Sequence, residues 1–463
     1  MRKFAALFLL CAVSALHAAD KPNILFIAID DLNDWIGVLG GHPQAKTPNL
    51  DRLAKRGVLF THAYAAAPAC NPSRAALMTG IAPYRSGVYT NSQDWRPSMG
   101  DKVTLSKHFM LNGYDVSGSG KIYHGAFPHA ASWGEYWPSQ EKNRPDDPKP
   151  DGTPVNGIPK TGHFDWGPVN DPPDAMGDWQ VVDWVSDRLQ QKHRNPFFLA
   201  CGIFRPHLPW YAPQKYFDQF PLDKIELPSH NPKDLEDIPA AGIKMANPAG
   251  DHANIVKYNQ WRQAVQGYLA SIAFADEQVG RVLDTLDLSP YKDNTIVVLW
   301  GDHGWHLGEK EHWRKFALWE EATKTPLMWV IPKGMPGLPE GVKAGTRIDT
   351  PVSLLDIYPT LVELAGLPEK EGLSGSSLVP LLKNPNAKWT RPVLMTHGRK
   401  NHAIRTPDWR YIRYADGSEE LYDHRSDPME WANLAADQKY ASLIAELSKH
   451  LPSSDAPDQP VTR

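Results

Sequence analysis

One short stretch of the chain combines a cysteine, an arginine and the signals of a helix. Residues 70–80 read Cys-Asn-Pro-Ser-Arg-Ala-Ala-Leu-Met-Thr-Gly. Pro72 suits the first turn of a helix, and Gly80 suits the position just after its last residue. Cys70 and Arg74 are therefore predicted at a helix N-terminus, where free N–H groups and the helix dipole favour an anion. From the residues alone, Cys70 is a candidate nucleophile with a lowered pKa.

Two apolar segments predicted as buried strands end in acidic residues. The acids are Asp30 and Asp31 after residues 23–29, and Asp302, with His303 beside it, after residues 295–300. Ligands of open α/β sheets bind outside the carboxyl ends of the strands. Three carboxylates converging there repel each other without a cation, and carboxylate-rich sites suit calcium. Taken singly, Asp31 could instead cap a turn and Asp302 could be a turn residue, but two such strand ends together favour a metal site.

The motif at residues 70–80 resembles the signature of the sulfatase family. Other segments resemble the family in chain order: residues 22–25 before the first acids, 300–304 with 307–309, 350–360, and 420–423 with 427–428. The resemblance covers nearly all of the chain beyond its first residues. It implies an α/β fold of the alkaline-phosphatase type. That fold has a large mixed, mainly parallel central sheet and a smaller C-terminal subdomain with a short antiparallel sheet.

Four details resemble the iduronate-2-sulfatase-like members of that family. Lys121 and His124 are three residues apart, where many sulfatases space the pair two apart. Residues 205–209 read Arg-Pro-His-Leu-Pro, and residues 313–315 read Trp-Arg-Lys. His303 stands where an asparagine is usual. This subgroup resemblance implies exo-acting hydrolysis of sulfate esters on a sulfated sugar or polysaccharide.

The resemblance also implies two cofactors. Cys70 would be oxidised by a formylglycine-generating or sulfatase-maturating enzyme to formylglycine, whose hydrate attacks the sulfur. The implied ligands of one calcium ion are Asp30, Asp31, residue 70, Asp302 and His303. Because a nitrogen ligand on calcium is unusual, His303 could orient the nucleophile or the ester oxygen instead of binding the metal tightly.

Further basic residues receive roles from the resemblance and from charge. Arg74, Lys121 and Lys315 would neutralise the sulfuryl oxygens. His124 would serve the eliminating hydroxyl, and His207 would protonate the leaving alcohol. As alternatives, Lys121 could be a solvated loop charge, and both histidines could be structural. The candidate substrate contacts are Trp95, Arg96, Arg205 and His312.

The elements that must position these residues alternate between strands and helices, which favours a mainly parallel sheet. Strands are predicted at residues 23–29, 113–117, 197–203 and 295–300, and helices at 48–56, 103–112 and within 258–286. The Pro-rich regions 138–180 and 205–250 are predicted as long ordered loops that line a site. Short antiparallel strands near residues 392–395, 403–405 and 410–414 and a helix at 440–451 predict the C-terminal subdomain.

The chain start and the composition bear on location and partners. Residues 1–19 resemble a signal peptide, with a catalytic domain expected at 20–385 and the C-terminal subdomain at 386–463. We therefore expect an exported protein, periplasmic or extracellular. A formal net charge of -4 gives no indication of nucleic acid, and no segment is long and apolar enough for a membrane span. The expected partners are a sulfated carbohydrate and the maturation enzyme, and Cys201 is expected in the core.

Two other functions remain open from the sequence. One is a phosphoester or phosphonate hydrolase of the same superfamily, which would more often use Thr or Ser and a second metal. Cys70 in its motif and the single acidic cluster argue against it. The other is a non-catalytic sugar-binding protein on the same scaffold, but none of the expected catalytic residues is missing.

Overall fold

The strand β1 shows why this sequence forms a sheet with two covered faces. It spans Asn23–Ile29, and every residue in it is buried. Side chains alternate between the two faces of a strand. Leu25 and Ile27 face one apolar core, whereas Ile24 and Phe26 face another. An unbroken apolar run is the pattern expected for a parallel strand between two layers of helices.

The computed structural model describes residues 21–99 and 101–461. The predicted signal peptide, residues 1–19, lies outside the described residues. The further strands are β2 Val58–Tyr64, β3 Asp115–Gly120, β4 Glu135–Trp137, β5 Trp166–Val169, β6 Phe197–Ile203, β7 Trp210–Pro213, β8 Thr295–Gly301, β9 His306–Leu307, β10 Trp313–Arg314, β11 Lys324–Val330, β12 Thr346–Ile348, β13 Val352–Ser353, β14 Val393–Thr396, β15 His402–Arg405, β16 Trp409–Arg413 and β17 Glu419–Asp423. The helices are α1 Pro48–Arg56, α2 Cys70–Thr79, α3 Pro83–Ser86, α4 Arg96–Met99, α5 Leu105–Leu111, α6 Gly177–Gln190, α7 Gln214–Phe217, α8 Ala240–Ala246, α9 Asp251–Lys257, α10 Trp261–Leu288, α11 Glu320–Thr323, α12 Ile357–Leu364, α13 Val379–Lys383 and α14 Ala441–Ser448.

The central sheet has the strand order β12-β2-β11-β8-β1-β6-β3-β4, with β13 also paired to β2. All of its pairs are parallel except those of β11, which runs antiparallel to both β2 and β8. Helices α1, α6 and α10 cover one face, and α2, α5 and α12 cover the other. This arrangement confirms the predicted mixed, mainly parallel sheet.

A second sheet, antiparallel in the order β14-β15-β16-β17, follows near the C-terminus. It shares an apolar core with Tyr64 of β2 and Trp319 of the segment before α11. Helix α14 packs against its other side through Leu447. The predicted short antiparallel sheet is therefore present, while the boundary at residue 385 stays a prediction.

The two Pro-rich regions are mostly irregular, as predicted, although they contain β5, β7, α7 and α8. Both contribute residues to cavities beside the carboxyl edge of the central sheet. Among the described residues, no helix combines the length and the apolar character that crossing a membrane requires.

Candidate active site

The carboxyl ends of β1, β3, β6 and β8, which are neighbours in the sheet, meet the N-terminus of α2. Asp30 and Asp31 follow β1, and Asp302 and His303 follow β8. The backbone N–H of Asp31 donates to Asp302 Oδ1 at 2.9 Å, which joins the two strand ends. Asp31 has a φ of 59°, a left-handed conformation that is uncommon outside glycine and frequent at functional sites.

Helix α2 begins at Cys70 and ends before Gly80, as the sequence predicted. Gly80 has a φ of 72°, and a Cβ atom there would lie 2.2 Å from a methyl carbon of Leu373. Cys70 is 1% exposed. Asn71 fixes the first turn, since its side chain donates to the carbonyls of Thr90 at 3.1 Å and Gln93 at 2.7 Å. The residue at position 70 is thus held rigidly at a buried helix N-terminus.

Arg74 lies at the centre of a buried charge network. Its Nε donates to Asp302 Oδ2 at 2.8 Å, and its Nη2 donates to Asp30 Oδ1 at 3.0 Å. Lys121, just beyond β3, pairs with the other oxygen of Asp30 at 2.5 Å. Two cations therefore hold Asp30, and its pKa lies well below the ordinary value: burial raises it, but Lys121 and Arg74 outweigh burial.

Lys315 connects Asp31 to Cys70. Its Nζ lies 2.7 Å from Asp31 Oδ1 and 3.0 Å from Cys70 Sγ. His303 Nε2 lies 3.3 Å from both Cys70 Sγ and Asp31 Oδ1. We name Asp30, Asp31, Asp302, Arg74, Lys121 and Lys315, together with the enclosed Cys70 and His303, the catalytic cluster. It brings together the predicted acids, the cysteine and three predicted cations.

The donor set fits a hard divalent cation. One ligand atom from each of Asp31, Cys70, Asp302 and His303 lies within 4.8 Å of the others. Asp31 Oδ2 is buried, and the described chain gives it no hydrogen-bond partner. An unpartnered buried carboxylate oxygen is costly unless a cation or donor binds it. The sulfur of Cys70 stands where the formylglycine oxygen would be, so the set would be rich in oxygen, as calcium prefers.

Unmodified Cys70 is not an activated thiolate. Burial raises the pKa of its thiol to about 12, although Lys121 and Lys315 lower it. The thiol is therefore protonated at neutral pH. This corrects the expectation, drawn from the helix N-terminus alone, of a cysteine with a lowered pKa. The dipole does not outweigh burial and the nearby carboxylates of Asp30 and Asp31.

Two predicted histidines lie in a cavity beside the cluster. The cavity has a volume of about 370 Å³, and its wall includes Lys121, His124 and His207. His207 Nδ1 lies 2.6 Å from the carbonyl of Leu208 and donates to it, so Nε2, 3.9 Å from Asp31 Oδ2, faces the cluster. Burial and Lys121 lower the pKa of both imidazoles, that of His124 to about 3. These surroundings favour the neutral form of both rings.

The predicted substrate contacts have other surroundings. Trp95 is fully buried and stacks on Tyr123, with its ring N–H bonded to the carbonyl of Phe127. Arg96 pairs with Asp94 at 2.7 Å. These contacts give Trp95 a packing role and correct the expectation that it grips a sugar, whereas Arg96, whose side chain is 39% exposed, stays a predicted substrate contact.

Arg205 and His312 are also occupied within the protein. Arg205 is 1% exposed and pairs with Asp147 at 2.6 Å. The two ring nitrogens of His312 lie 2.8 Å from the carbonyl of Ala246 and 2.7 Å from that of Lys315. His312 therefore supports the Lys315 loop, and the geometry shows no free group of either residue for a substrate.

The structure adds two residues that the sequence did not indicate. The hydroxyl of Tyr268, on α10, donates to the carbonyl of Asp31 at 2.8 Å and fixes the strained turn. Arg144, in the first Pro-rich region, lines the same cavity as His207. A lone tyrosine in an apolar helix and a loop arginine carry no sequence signal for these positions.

Comparisons with known proteins identify related sequences and structures. A family model described as sulfatase matches residues 22–367, and one described as the C-terminal part of N-sulphoglucosamine sulphohydrolase matches residues 308–456. A protein named sulfatase from Formosa agariphila is 42% identical, over 94% of this chain and 87% of its own. Iduronate 2-sulfatase from Homo sapiens is 30% identical, over 75% of this chain and 70% of its own. A phosphonate monoester hydrolase structure from Silicibacter pomeroyi superposes with a TM-score of 0.75 at 22% identity, over 92% of this chain and 94% of that one, which shows the fold alone.

Proposed function

The chain belongs to the sulfatase family and is a sulfuric ester hydrolase of the alkaline-phosphatase-like fold, and on that premise we propose that it removes sulfate from a sulfated sugar with a formylglycine made from Cys70 and a calcium ion. The observation that carries the proposal is the catalytic cluster, with Cys70 between Lys315 and His303. Formylglycine, as its hydrate, would supply one hydroxyl to attack sulfur and a second whose proton loss expels sulfate. Calcium would lower the pKa of the attacking hydroxyl and polarise a sulfate oxygen.

The charges of the catalytic cluster support a site for a cation and an anion together. Its three carboxylates and three basic side chains cancel one another. A divalent cation bound by Asp31, Asp302, residue 70 and His303, with Asp30 beside them, would leave a positive site. An anionic sulfate ester then restores the balance. Arg74, Lys121 and Lys315 are placed to neutralise its oxygens as charge builds up.

Burial also limits when residue 70 can be oxidised. The thiol is 1% exposed and lies under Lys315 and His303, so an enzyme cannot reach it in the folded protein. We infer that the maturation enzyme acts before α2 packs. A protonated thiol with a pKa of about 12 is a poor nucleophile, which supports conversion to formylglycine as the source of reactivity.

The two histidines fit different proton transfers. A neutral His124 can accept a proton from the eliminating hydroxyl. His207 must be protonated at Nε2 to act as the acid for the leaving alcohol. Burial and Lys121 oppose that protonation, whereas Asp30 favours it. A bound substrate anion near Nε2 would favour the imidazolium further.

A sugar substrate is supported by the relatives. The name iduronate 2-sulfatase, carried by the relative at 30% identity, describes action on a sugar acid. An exo-acting enzyme exported to the periplasm or the medium, as the first residues suggest, suits digestion of a sulfated polysaccharide.

A phosphonate or phosphoester hydrolase is the alternative that the fold permits. Asp30, Asp31 and His207 form a second group with ligand spacing. However, it shares Asp31 with the first group, and Asp30 is held by Arg74 and Lys121. A separate second metal ion is therefore disfavoured.

The test is sulfate release from defined sulfated oligosaccharides, alongside hydrolysis of a phosphonate monoester, with protein coexpressed with a maturation enzyme. We expect sulfate release that a chelator abolishes and calcium restores. Cys70→Ala should be inactive, whereas Cys201→Ala, a matched change of a buried cysteine in β6, should remain active. Faster phosphonate hydrolysis, or restoration by zinc but not by calcium, would favour the alternative.

A further inference from the structure

The cavity beside the catalytic cluster has a second wall that the proposed chemistry does not use. Its inner wall holds Lys121, His124 and His207, which the proposed function places beside the ester. Its outer wall is formed by residues 141–146 of the first Pro-rich region. A sugar bound in this cavity would therefore lie against this segment.

Arg144 is held in a fixed orientation on that outer wall. Its guanidinium carbon lies 3.8 Å from the centre of the Phe204 ring. The same ring packs against His207, with the ring centres 4.5 Å apart and the ring planes tilted by 37°. Arg144 is thus connected to the candidate acid through one rigid aromatic side chain, and stacking of this kind orients a guanidinium without using its N–H groups.

Two carboxylates lie beside Arg144 and Arg205. Asp147 pairs with Arg144 at 2.9 Å and with Arg205 at 2.6 Å. Asp178 accepts the backbone N–H groups of Phe204 and Arg205, both at 2.8 Å; burial raises its pKa to about 6, and both guanidinium groups oppose that rise. Arg205 is buried, whereas the side chain of Arg144 is 18% exposed and lines the cavity.

Most N–H donors of Arg144 remain available. In the described chain, the polar contacts of its side chain run from Nη1, to the carbonyl of Pro145 at 3.2 Å and to Asp147 Oδ2 at 2.9 Å, which leaves Nε and Nη2 for a ligand. The other charges on the outer wall belong to Glu141, which is exposed, and to Lys142, which pairs with Asp146 at 2.9 Å and is neutralised by it. Arg144 is therefore the stacked cation that faces the cavity with free donors.

We propose that Arg144 is a specificity-determining residue that binds a second anionic group, a carboxylate or another sulfate, on the sugar whose sulfate ester is hydrolysed. The planar fork of a guanidinium matches the oxygens of both groups. The proposal rests on the proposed function and names a substrate class for the same site: sulfated sugars with a further negative charge beside the ester. Arg144 contacts substrate and takes no part in the bond-breaking step.

The test compares matched substrates that differ by that second charge. One pair is a 2-O-sulfated hexuronate and the 2-O-sulfated neutral hexose. The other pair is glucosamine 6-O-sulfate with an N-sulfate or with an N-acetyl group. An aryl sulfate serves as a substrate without any second charge. The variants are Arg144→Gln, Arg144→Lys and the control Lys142→Gln, which changes the paired lysine on the same wall.

We expect the wild-type protein to prefer the charged member of at least one pair. Arg144→Gln should lower kcat/KM for that member by about 10- to 100-fold, mainly through KM, because the contact exists before and during the reaction. Arg144→Lys should recover part of the loss. Lys142→Gln should change every substrate less than about twofold. A loss within the hexuronate pair would identify a carboxylate as the bound group, and a loss within the glucosamine pair would identify a sulfate.

Two results would overturn the inference. One is a wild-type protein without preference within either pair, and the other is an Arg144→Gln variant that slows the aryl sulfate as much as the charged sugars. Failure of the proposed function looks different, because the wild-type protein would then release no sulfate from any of the substrates.

Discussion

Two buried clusters of charged residues in this protein have similar compositions. They differ in whether every carboxylate oxygen has a hydrogen-bond donor. The catalytic cluster lies at the carboxyl ends of β1 and β8. The second, which we name the interface cluster, lies between α11 and the C-terminal sheet and contains Glu320, Glu430, Arg405, Arg410 and His424. Both include a group of side chains with metal-ligand spacing. Spacing alone therefore does not separate a metal site from a structural network.

Every carboxylate oxygen of the interface cluster has a donor. Glu320 receives the hydroxyl of Tyr64 at 2.8 Å on one oxygen, and Arg405 at 3.2 Å as well as Arg410 on the other. Glu430 receives His424 at 2.9 Å on one oxygen, which also forms an ion pair with Arg410 at 2.5 Å, and the N–H of Glu320 at 2.9 Å on the other. Burial raises the pKa of Glu320, but the arginines and His424 outweigh it and hold that pKa well below its ordinary value.

In the catalytic cluster, by contrast, one carboxylate oxygen lacks a hydrogen-bond donor. Asp31 Oδ2 has no partner in the described chain. Burial raises the pKa of Asp31, and Asp30 and Asp302 add to that rise, while Lys315 and His303 oppose it. The interface cluster thus satisfies its acids with donors of the chain, whereas the catalytic cluster leaves one oxygen of Asp31 for a ligand from outside.

Replacing Asp31 should remove activity and leave the stability of the fold nearly unchanged. Asp31→Asn keeps the size and the acceptor for Lys315 but removes a metal-binding charge. We expect activity to fall by about 10³-fold or more. The free energy of unfolding in calcium-free buffer should change by about 1 kcal/mol or less, because relief of the burial of the charge and of the repulsion by Asp30 and Asp302 offsets the lost ion pair with Lys315. Sulfate release and chemical denaturation measure the two effects. Retained activity in this variant would remove the distinction between the clusters.

A second variant tests whether His207 protonates the leaving alcohol. His207→Ala should slow sugar sulfate hydrolysis by roughly 10²–10⁴-fold, because a sugar alkoxide needs a proton as it leaves. An aryl sulfate needs little such help and should be affected far less. In the proposed mechanism Arg74 and Lys121 would act on the sulfuryl group common to both substrates, so replacing either should slow both alike. Equal slowing by His207→Ala would show that the histidine is not the acid and would give Lys315 that role.

Replacing an arginine of the interface cluster should instead lower stability and leave activity nearly unchanged. Arg410→Met leaves two buried carboxylates short of a donor, and breaking a buried pair costs about 3–5 kcal/mol. Activity per correctly matured, folded molecule should stay near that of the wild type. The control is Arg413→Met on the same strand, whose pair with Glu419 is 40% and 28% exposed and should contribute about 1 kcal/mol or less. An Arg410→Met variant that is stable but inactive would reverse the assignment of the two clusters.

The sequence predicted the parts of the site that follow strong local signals. Unbroken apolar runs located β1, β6 and β8, and the proline and glycine of residues 70–80 located α2. Family motifs supplied Lys121, His124, His207 and Lys315, which the structure brings to one edge of the sheet.

The remaining features depend on contacts distant in sequence. Strand β11, the one antiparallel strand of the central sheet, begins with Lys324 and contains Pro326, so its pattern does not resemble a buried strand. Trp95 and Arg205 are of residue types that suit a sugar-binding site, but tertiary packing buries both. Arg144 lies in a Pro-rich loop whose path is fixed by Asp147 and Phe204, which local periodicity does not show.

The central claim is that residue 70 of the active protein is formylglycine, and the most direct test is mass spectrometry of tryptic peptide 57–74 from protein that releases sulfate. The account predicts a peptide in which the cysteine sulfur is replaced by an aldehyde oxygen or its hydrate, in a fraction that rises in proportion to specific activity across preparations. Cys70→Ser should lack that product and be inactive, unless a serine-oxidising maturation enzyme is present. Full activity from protein in which position 70 is entirely unmodified cysteine would contradict the account.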